Sequence, residues 1–337
     1  MNTGLEHIAT VRRAAFLSLS ILLFASVYHA EAQQTGKVYK IGSLLGGFPS
    51  SAASVTEAFR QGMRDHGYVE GKHYVIEQRW VEGRREQLPA FAAELVKLNV
   101  DIIVAAATPP ALAAQQATKT IPIVVAHMSD PVEPGLIANL ARPGGNVTGM
   151  RSLQAELAAK RLELLKEAFP RISRVVALGS VTSGGSQRQL REMSRAAQAL
   201  GIEIRPLVLN ARDPDFQQLS RAIAEMRGDA LTLLSSLGQL NYLSQIVDLQ
   251  AKNRLPAIFQ NSSFADAGGL MSYGIKYEHF HRRAAYFVDK ILKGANPGDL
   301  PVEQTTNFEL VVNLKTAKLL GLTIPTQTLM DADRVIK

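Results

Sequence analysis

The 337-residue chain contains no cysteine. Disulfide bonds, a cysteine nucleophile and a lipidated cysteine at a processed N-terminus are therefore all excluded. After the first 32 residues no apolar stretch approaches the roughly 18 uninterrupted residues of a transmembrane helix. Hydrophobic residues nevertheless make up 46% of the chain, which over this length is enough for two medium-sized domains.

Recognisable catalytic motifs are absent as well. The sequence has neither a Gly-x-Ser-x-Gly elbow nor a His-Glu-x-x-His zinc motif. Residues 179–186 have the spacing of a phosphate-binding loop, but Gly185 occupies the position that requires lysine, so we predict a serine-rich cleft loop instead. His279 and His281 stand two residues apart on a predicted helix and point in different directions, which predicts surface histidines rather than a metal pair. We therefore predict no enzyme activity, no cofactor and no metal.

The chain has no long cluster of like-charged residues. The formal net charge is +7, yet the basic residues are scattered over amphipathic helices, as at Lys160-Arg161 and Arg282-Arg283. No basic run resembles a nucleic-acid-binding arm. The pattern favours a solvated basic surface over a bias towards anionic ligands, and it predicts no nucleic-acid partner.

Residues 1–32 have the parts of a secretory signal peptide. Arg12-Arg13 precedes an almost wholly apolar stretch over residues 14–25, and Ala30-Glu31-Ala32 supplies the small residues of a cleavage site. The apolar stretch is too short to span a membrane comfortably, which disfavours an uncleaved anchor helix. We predict cleavage near Ala32 and a soluble periplasmic protein.

A βαβ unit is the clearest structural signal. Two short apolar runs, over residues 101–106 and 121–126, flank an Ala/Gln-rich stretch and predict two buried parallel strands joined by a helix. Both strands then end on the edge where open α/β sheets bind ligands. Thr108 is predicted to cap a helix that begins at Pro109 or one residue later. A carboxylate could bind that helix N-terminus; the alternative is that Thr108 serves only as an N-cap.

The same alternation of strand and helix runs through the chain twice. One series covers residues 37–149, with a short helix predicted at 134–140, and a second series of similar length covers residues 150–273. The remaining segments are too few to fold alone and must return to these two units, so that several strands cross between them as a hinge. We predict an α/β fold of two Rossmann-like lobes: residues 37–149 plus about 274–303, and residues 150–273 plus about 304–337.

Small polar residues follow the predicted strands in both series. Each alone is by default a cap or turn residue, but together they line the facing edges of two hinged lobes, where hydroxyls and amides can orient a ligand. The first-lobe candidates are Gly46, Gly47, Ser50, Ser51, Thr108, Pro109 and Asp130, and the second-lobe candidates are Ser180, Ser183, Ser235, Ser236, Asn261 and Ser262.

Several motifs, in their order along the chain, resemble a known family. They are Tyr68-Val-Glu-Gly-Lys, Leu88-Pro-Ala, Ile121-Pro-Ile-Val, Asp130-Pro-Val, Ala141-Arg-Pro-Gly-Gly-Asn-Val-Thr-Gly, Lys160-Arg-Leu-Glu-Leu-Leu-Lys, Gly268-Gly-Leu-Met-Ser-Tyr-Gly and Asn313-Leu-Lys-Thr-Ala-Lys. In combination they resemble the ABC-transporter solute-binding proteins of the tryptophan/tyrosine-binding type, over essentially the whole mature chain.

The resemblance implies a type I periplasmic-binding-protein fold with a three-stranded hinge, and delivery of ligand to a membrane permease with its ATPase. It implies that the Thr108-Pro109 helix start holds an amino-acid carboxylate and that Asp130-Pro131 lies in a cleft-facing loop. The chain departs from the family at Gly179-Ser180-Val181-Thr182, where relatives often carry Asn-Pro, and at Ser235-Ser236, where an acidic or bulkier residue is common. The identity of the ligand is therefore left open.

The leading hypothesis is a monomeric extracytoplasmic binding protein of an ABC importer that closes on one small organic solute, an amino acid or an aromatic compound. A periplasmic hydrolase is one alternative and would require a nucleophile and base in the cleft. A ligand-sensing periplasmic receptor for a signalling partner is another. A repressor-type regulator shares the lobe fold but would carry an N-terminal DNA-binding helix pair where this chain has an export signal.

Overall fold

The computed structural model of the protein describes residues 37–46, 49, 53–82, 84–132, 134–180, 184–210, 213–234, 239–305 and 308–337. The predicted signal peptide lies outside these ranges. Within them, no helix is both long enough and apolar enough to cross a membrane.

Strands and helices alternate along most of the described chain. The strands are β1 (Tyr39–Leu45), β2 (Tyr74–Trp80), β3 (Ile102–Ala105), β4 (Ile123–Met128), β5 (Val147–Arg151), β6 (Arg174–Gly179), β7 (Glu203–Val208), β8 (Ala230–Leu233), β9 (Ala257–Phe259), β10 (Met271–Gly274), β11 (Glu303–Gln304), β12 (Glu309–Asn313) and β13 (Arg334–Ile336). The α-helices are α1 (Ala53–Asp65), α2 (Leu88–Lys97), α3 (Thr108–Ala117), α4 (Gln154–Ala168), α5 (Gly184–Leu200), α6 (Phe216–Glu225), α7 (Leu243–Lys252), α8 (Ser262–Asp266), α9 (Tyr277–Leu292), α10 (Leu314–Leu320) and α11 (Thr326–Met330).

The first sheet has the strand order β11-β5-β4-β3-β1-β2, and its described neighbours all pair in parallel. Its central strands are apolar on both faces because helices cover both. Ile103 packs in the cluster that includes residues of α2 and α3, whereas Val104 packs in the cluster that includes residues of α1 and α9. A parallel sheet buried on both sides explains why β3 and β4 show no alternation in sequence.

The second sheet has the strand order β13-β12-β10-β9-β8-β6-β7, with β12 antiparallel to β10 and the other described pairs parallel. Apolar residues of α4 and α5 cover one face, as at Leu162 and Met193. Residues of α6, α7 and α8 cover the other, as at Ile223, Ile246 and Phe264. Each sheet with its helices forms one lobe; the residue limits that the sequence assigns to the lobes stay a prediction.

Three connections link the two sheets: β5 to α4, β10 to α9, and β11 to β12, with part of the last outside the described residues. Ser152, on the first connection, is 1% exposed, and its amide and hydroxyl both donate to the Met128 carbonyl oxygen, at 2.7 and 3.2 Å. This pair of hydrogen bonds anchors the connection to the end of β4. The three connections agree with the three-stranded hinge that the family resemblance implies.

The helix predicted over residues 134–140 is wrong, because the described part of that segment forms turns. The amides of Leu136 and Ile137 both donate to the Pro131 carbonyl oxygen, each at 3.1 Å. Gly135 has a φ of 72°, a left-handed conformation that interrupts a helix. The sequence also gave no sign of α8, α11 and β13, which at five, five and three residues are too short to show a periodic pattern.

Candidate functional site

The segments that follow β3 and β4 form the first-lobe edge of the candidate site. Thr108 is the first residue of α3, and Ala107 occupies the N-cap position. The Thr108 hydroxyl caps no helix amide but accepts a hydrogen bond from the Ser129 amide at 3.1 Å. The prediction that Thr108 caps its helix is therefore wrong, because the helix begins one residue earlier than the prolines indicate. The hydroxyl instead joins the two segments at the sheet edge.

The start of α3 is poor in backbone donors. Pro109 and Pro110 have no N–H, and the Ala111 amide donates back to the Ala107 carbonyl oxygen at 3.1 Å. The helix dipole still places partial positive charge at this end. An anion bound here would therefore depend on the dipole and on Thr108 more than on an array of amides.

Asp130 lies in the loop after β4, with its Oδ1 accepting a hydrogen bond from the Val132 amide at 3.0 Å. Its Oδ2 forms an ion pair with Arg188, which lies on α5 in the second lobe. The predicted cleft-facing loop thus reaches the opposite lobe. Its carboxylate is engaged by another side chain of the protein.

Of the other predicted site residues in loops, the structure describes Gly46 and Ser180. Gly46 is buried directly after β1, and Ser180 is half-buried directly after β6 and interacts with other groups of the protein. The remaining loop candidates lie outside the described residues. These are Gly47, Ser50, Ser51, Ser183, Ser235 and Ser236.

Asn261 is fully buried at the end of β9. Its side-chain oxygen caps α8 by accepting from the Ser263 amide at 2.8 Å, and its Nδ2 donates to the Ile275 carbonyl oxygen at 3.0 Å. Ser262, also buried, is the first residue of α8. Asn261 thus holds the connection between β10 and α9 in place. Its assignment as a ligand contact stays a prediction.

An aromatic cluster that sequence reasoning missed lies where β4 meets the start of α9. The His127 ring centroid is 5.0 Å from that of Tyr277, 5.6 Å from that of Phe280 and 6.4 Å from that of His281. His281 is 5% exposed, so the prediction of a surface histidine is wrong for this residue. The signal was present, because His281 shares the helical spacing of the buried Phe280, Ala284 and Ala285.

Burial keeps both histidines of this cluster neutral. It lowers the pKa of His127 from 6.5 to about 4. Burial, reinforced by the neighbouring His127, lowers the pKa of His281 from 6.5 to about 3. At neutral pH the cluster is therefore an uncharged aromatic surface.

Arg161 is the largest fully buried side chain of the described protein. Its Nη1 donates to the Tyr273 carbonyl oxygen at 3.2 Å, and its Nη2 donates to the Gln154 carbonyl oxygen at 3.3 Å. Burial lowers the pKa of Arg161 to about 10, so the guanidinium remains charged at neutral pH. The sequence predicts a solvated basic surface at Lys160-Arg161. This prediction is wrong for Arg161, which lies inside the second lobe. Leu157, Leu162 and Leu165 flank Arg161 on the buried side of α4.

Two mainly parallel sheets, a side-chain contact between their carboxyl-end segments and three connections together define a two-lobed ligand-binding protein. Among the described residues, no three groups of metal-ligating type come together.

The chain belongs to the ABC transporter substrate-binding protein family, whose family model matches residues 49–336. Proteins of this family work outside the cytoplasm as binding components. Both the family and the type I periplasmic-binding-protein fold predicted from the motifs are confirmed.

Individual relatives agree with this assignment. A tyrosine-binding protein of Clostridioides difficile (strain R20291) is 26% identical over 266 residues, which cover 79% of this chain and 76% of that protein. The crystal structure of an ABC domain in complex with L-Trp from Streptococcus pneumonia is 26% identical, has a TM-score of 0.79, and is matched over 89% of this chain and 100% of its own. A conserved domain protein from Vibrio cholerae matches over the same shares at 26% identity with a TM-score of 0.81.

Proposed function

We propose that this protein is the periplasmic receptor of an ABC importer, and that it binds an amino acid with an aromatic side chain between its lobes and delivers it to a membrane permease. The observation that carries the proposal is the Asp130–Arg188 ion pair, which joins the ligand-binding edges of two lobes in a chain of this family. A relative named for tyrosine and a similar structure in complex with L-Trp support the ligand class. The predicted signal peptide, cleaved near Ala32, supports the location.

The first-lobe edge supplies groups suited to an amino-acid carboxylate. The Thr108 hydroxyl accepts from the Ser129 amide, so its own proton can be donated to a ligand oxygen. The partial positive charge at the start of α3 favours the same negatively charged group. We assign the ligand carboxylate to this end of the cleft.

The second lobe adds a fixed positive charge. The hydrogen bonds of Arg161 in the described structure go to carbonyl and amide oxygens of Tyr273 and Gln154, and none goes to a carboxylate. A charge that is not neutralised nearby raises the electrostatic potential over several ångströms in a medium of low dielectric constant. Arg161 therefore contributes a positive potential inside the second lobe.

Closure of the lobes on the ligand follows from the hinge. A ligand that contacts both lobes binds the closed arrangement more tightly than the open one and shifts the population towards it. A group bound between the lobes is also withdrawn from water, which strengthens its polar contacts.

Isothermal titration calorimetry with L-tyrosine, L-tryptophan and L-phenylalanine tests the proposal. Tyramine and tryptamine, which keep the aromatic ring and the amine but lack the carboxylate, are the matched controls. We expect at least one of the amino acids to bind and its decarboxylated partner to bind roughly a hundredfold more weakly, as loss of a charge-assisted hydrogen-bonded group requires. Binding of none of the three amino acids would refute the ligand class. Turnover of a bound compound would favour a hydrolase instead.

A pair of variants tests whether the Thr108 hydroxyl binds the ligand. Thr108→Val keeps the shape of the side chain but removes the hydroxyl, whereas Thr108→Ser keeps the hydroxyl. We expect Thr108→Val to weaken binding of the identified amino acid roughly tenfold and Thr108→Ser to stay within about threefold of the wild type. Equal affinity of Thr108→Val and the wild type would remove Thr108 from the site.

A further inference from the structure

The two lobes touch each other at a site away from the three connections, which we call the interlobe contact: residues 129–130 of the first lobe and 185–188 of the second. Asp130 and Arg188 form its ion pair. Beside them, α5 approaches Ser129 so closely that a Cβ built on Gly185 would lie 3.3 Å from the Ser129 Oγ and 3.6 Å from the Ser129 Cβ. The sequence had placed Asp130 at the cleft but offered no partner for it.

The first-lobe side of the interlobe contact is held firmly. The Ser129 amide donates to Thr108 at 3.1 Å, and the Asp130 Oδ1 accepts from the Val132 amide at 3.0 Å. The residue before them, Met128, accepts two hydrogen bonds from Ser152 on the first connection between the lobes. The Asp130 carboxylate is thus held in a defined position, so little conformational entropy is lost when Arg188 meets it.

The ion pair is partly withdrawn from water. The side chain of Arg188 is 29% exposed and that of Asp130 is 20% exposed. Such a pair is stronger than a fully solvated one, because the surroundings screen its attraction less. Its partners belong to different lobes, so rotation about the hinge separates them.

We propose that Asp130 and Arg188 form a latch that stabilises the closed arrangement of the lobes and slows the release of ligand. An interaction made only in the closed arrangement shifts the open–closed equilibrium by its full free energy. The part of the inference that concerns ligand release rests on the proposed function; the part that concerns the lobes does not. Loss of the ion pair should raise the ligand dissociation rate roughly fivefold.

A direct contact between Asp130 and the ligand is the competing explanation, and a charge swap separates the two. If Asp130 binds the ligand, Asp130→Asn abolishes binding and reversing the pair cannot restore it. If Asp130 is half of a latch, Asp130→Arg combined with Arg188→Asp restores closure that each single reversal loses. Asp130→Asn retains the acceptor for the Val132 amide, so the loop itself should survive.

The test is the distribution of interlobe distances by double electron–electron resonance. Spin labels can be attached to cysteines introduced at Lys97 on α2 and Ala224 on α6, both exposed and one in each lobe, because the chain has no other cysteine. The variants are Arg188→Ala, Asp130→Asn and the charge swap. The matched control is Arg195→Ala, which removes an arginine of the same helix whose partner, Glu192, lies on that helix as well.

We expect Arg188→Ala and Asp130→Asn to shift the distances towards an open population, the charge swap to restore the wild-type distribution, and Arg195→Ala to change nothing. Thermal unfolding of each variant checks that it is folded. An Arg188→Ala distribution identical to that of the wild type would overturn the latch, as would a swap that stays as open as the single variants. Failure of the wild type to bind any amino acid would refute the proposed function and leave the distance result to decide the latch independently.

Discussion

The two lobes share a sheet architecture but bury different chemistry. Among the described residues, every buried glutamine, asparagine and arginine side chain lies in the second lobe. These residues are Gln154, Arg161, Gln189, Gln239, Gln250, Gln260, Asn261 and Asn313. The buried polar residues of the first lobe have shorter side chains or, in one case, an imidazole ring, and only one is an acid. They are Ser43, Thr118, Thr148, His281 and Asp289.

The long polar side chains of the second lobe position its loops and strand ends. Gln260 donates to the side chain of Gln239 at 3.2 Å, and Asn313 donates to the Ala265 carbonyl oxygen at 3.0 Å. Side-chain caps on α-helices are found in the second lobe, although α4 and α7 there have none. Asp215, Asn261 and Asn313 cap helices of the second lobe, whereas α2, α3 and α9 of the first lobe have no side-chain cap. The second lobe thus buries more of its long polar side chains than the first, whose side-chain hydrogen bonds come mostly from shorter or less buried residues such as Thr118 and Asn146.

The largest loss of stability is expected at a feature that both lobes share. In each lobe, a glycine lies on the strand that precedes a connection, β5 in the first lobe and β10 in the second. A Cβ on Gly149 of β5 would lie 2.1 Å from the Val125 carbonyl oxygen of β4, and Gly149 has a φ of 136°. A Cβ on Gly274 of β10 would lie 2.1 Å from the carbonyl oxygen of Gln260, the residue after β9. Gly149→Ala and Gly274→Ala should each lower the free energy of unfolding by about 4 kcal/mol. Urea denaturation measures this, with Gly145→Ala as control, because no atom lies within 4 Å of a Cβ there. A stable Gly149→Ala variant would show that the packing of β5 on β4 is looser than described.

The next largest effect is expected in the second lobe alone, at its buried arginine. Arg161→Ala removes the buried guanidinium and its hydrogen bonds to Tyr273 and Gln154, and it leaves a cavity. We expect a loss of about 3 kcal/mol in the free energy of unfolding. The adjacent Lys160→Ala removes a partly exposed side chain paired with Glu163 and should cost no more than about 0.5 kcal/mol. Equal stability of the two variants in denaturant titrations would contradict a structural role for the buried polar groups.

Acid should weaken the first lobe through His127 and His281. Burial lowers the pKa of His127 to about 4 and of His281 to about 3, whereas in the unfolded chain both have a pKa of about 6.5. Between these values the unfolded chain takes up protons that the folded protein does not, so stability falls as the pH drops below about 6.5. At pH 5 each histidine should cost about 2 kcal/mol relative to pH 7.5.

Variants assign this acid sensitivity to particular residues. His281→Asn should flatten the dependence of unfolding free energy on pH between pH 7.5 and pH 5 by about 2 kcal/mol. The matched control, His279→Asn, changes an exposed histidine of the same helix and should flatten it less. An unchanged slope in His281→Asn would mean that His281 is protonated in the folded protein.

The smallest effect concerns the helix caps of the second lobe. Asp215 accepts hydrogen bonds from the amides of Gln217 and Gln218, each at 2.9 Å. Asp215→Ala should destabilise the protein by about 1 kcal/mol, and Asp215→Asn, which retains an acceptor, should lose only part of this. Thermal unfolding resolves the difference. Identical midpoints for Asp215→Ala and the wild type would contradict the cap.

Local sequence patterns predicted much of the fold. The apolar runs over residues 101–106 and 121–126 predicted β3 and β4, and the Ala/Gln-rich stretch between them predicted α3. These features depend on neighbours in sequence. The turns at 134–140 are local as well, but their composition resembles that of a helix, and only the left-handed Gly135 and the bonds of the Leu136 and Ile137 amides to Pro131 show the difference.

The site was less predictable because its contacts join distant parts of the chain. Thr108 was identified, but its bond to Ser129 depends on how β3 and β4 pair. Asp130 was placed at the cleft, but its pairing with Arg188 appears only when the two lobes are brought together. Arg161 was assigned to the surface, since a charged residue on a helix is exposed by default.

The most direct test of a cleft that closes on its ligand is a disulfide across the interlobe contact. The separation of 3.6 Å between a Cβ built on Gly185 and that of Ser129 fits the geometry of a disulfide, and the chain has no other cysteine to compete. The measurement is the release of radiolabelled L-tyrosine or L-tryptophan from the Ser129→Cys/Gly185→Cys protein, oxidised after loading and then compared with the reduced form. The account predicts that the oxidised protein retains its ligand while the reduced protein releases it; absence of the cross-link, or equal release from both forms, would contradict it.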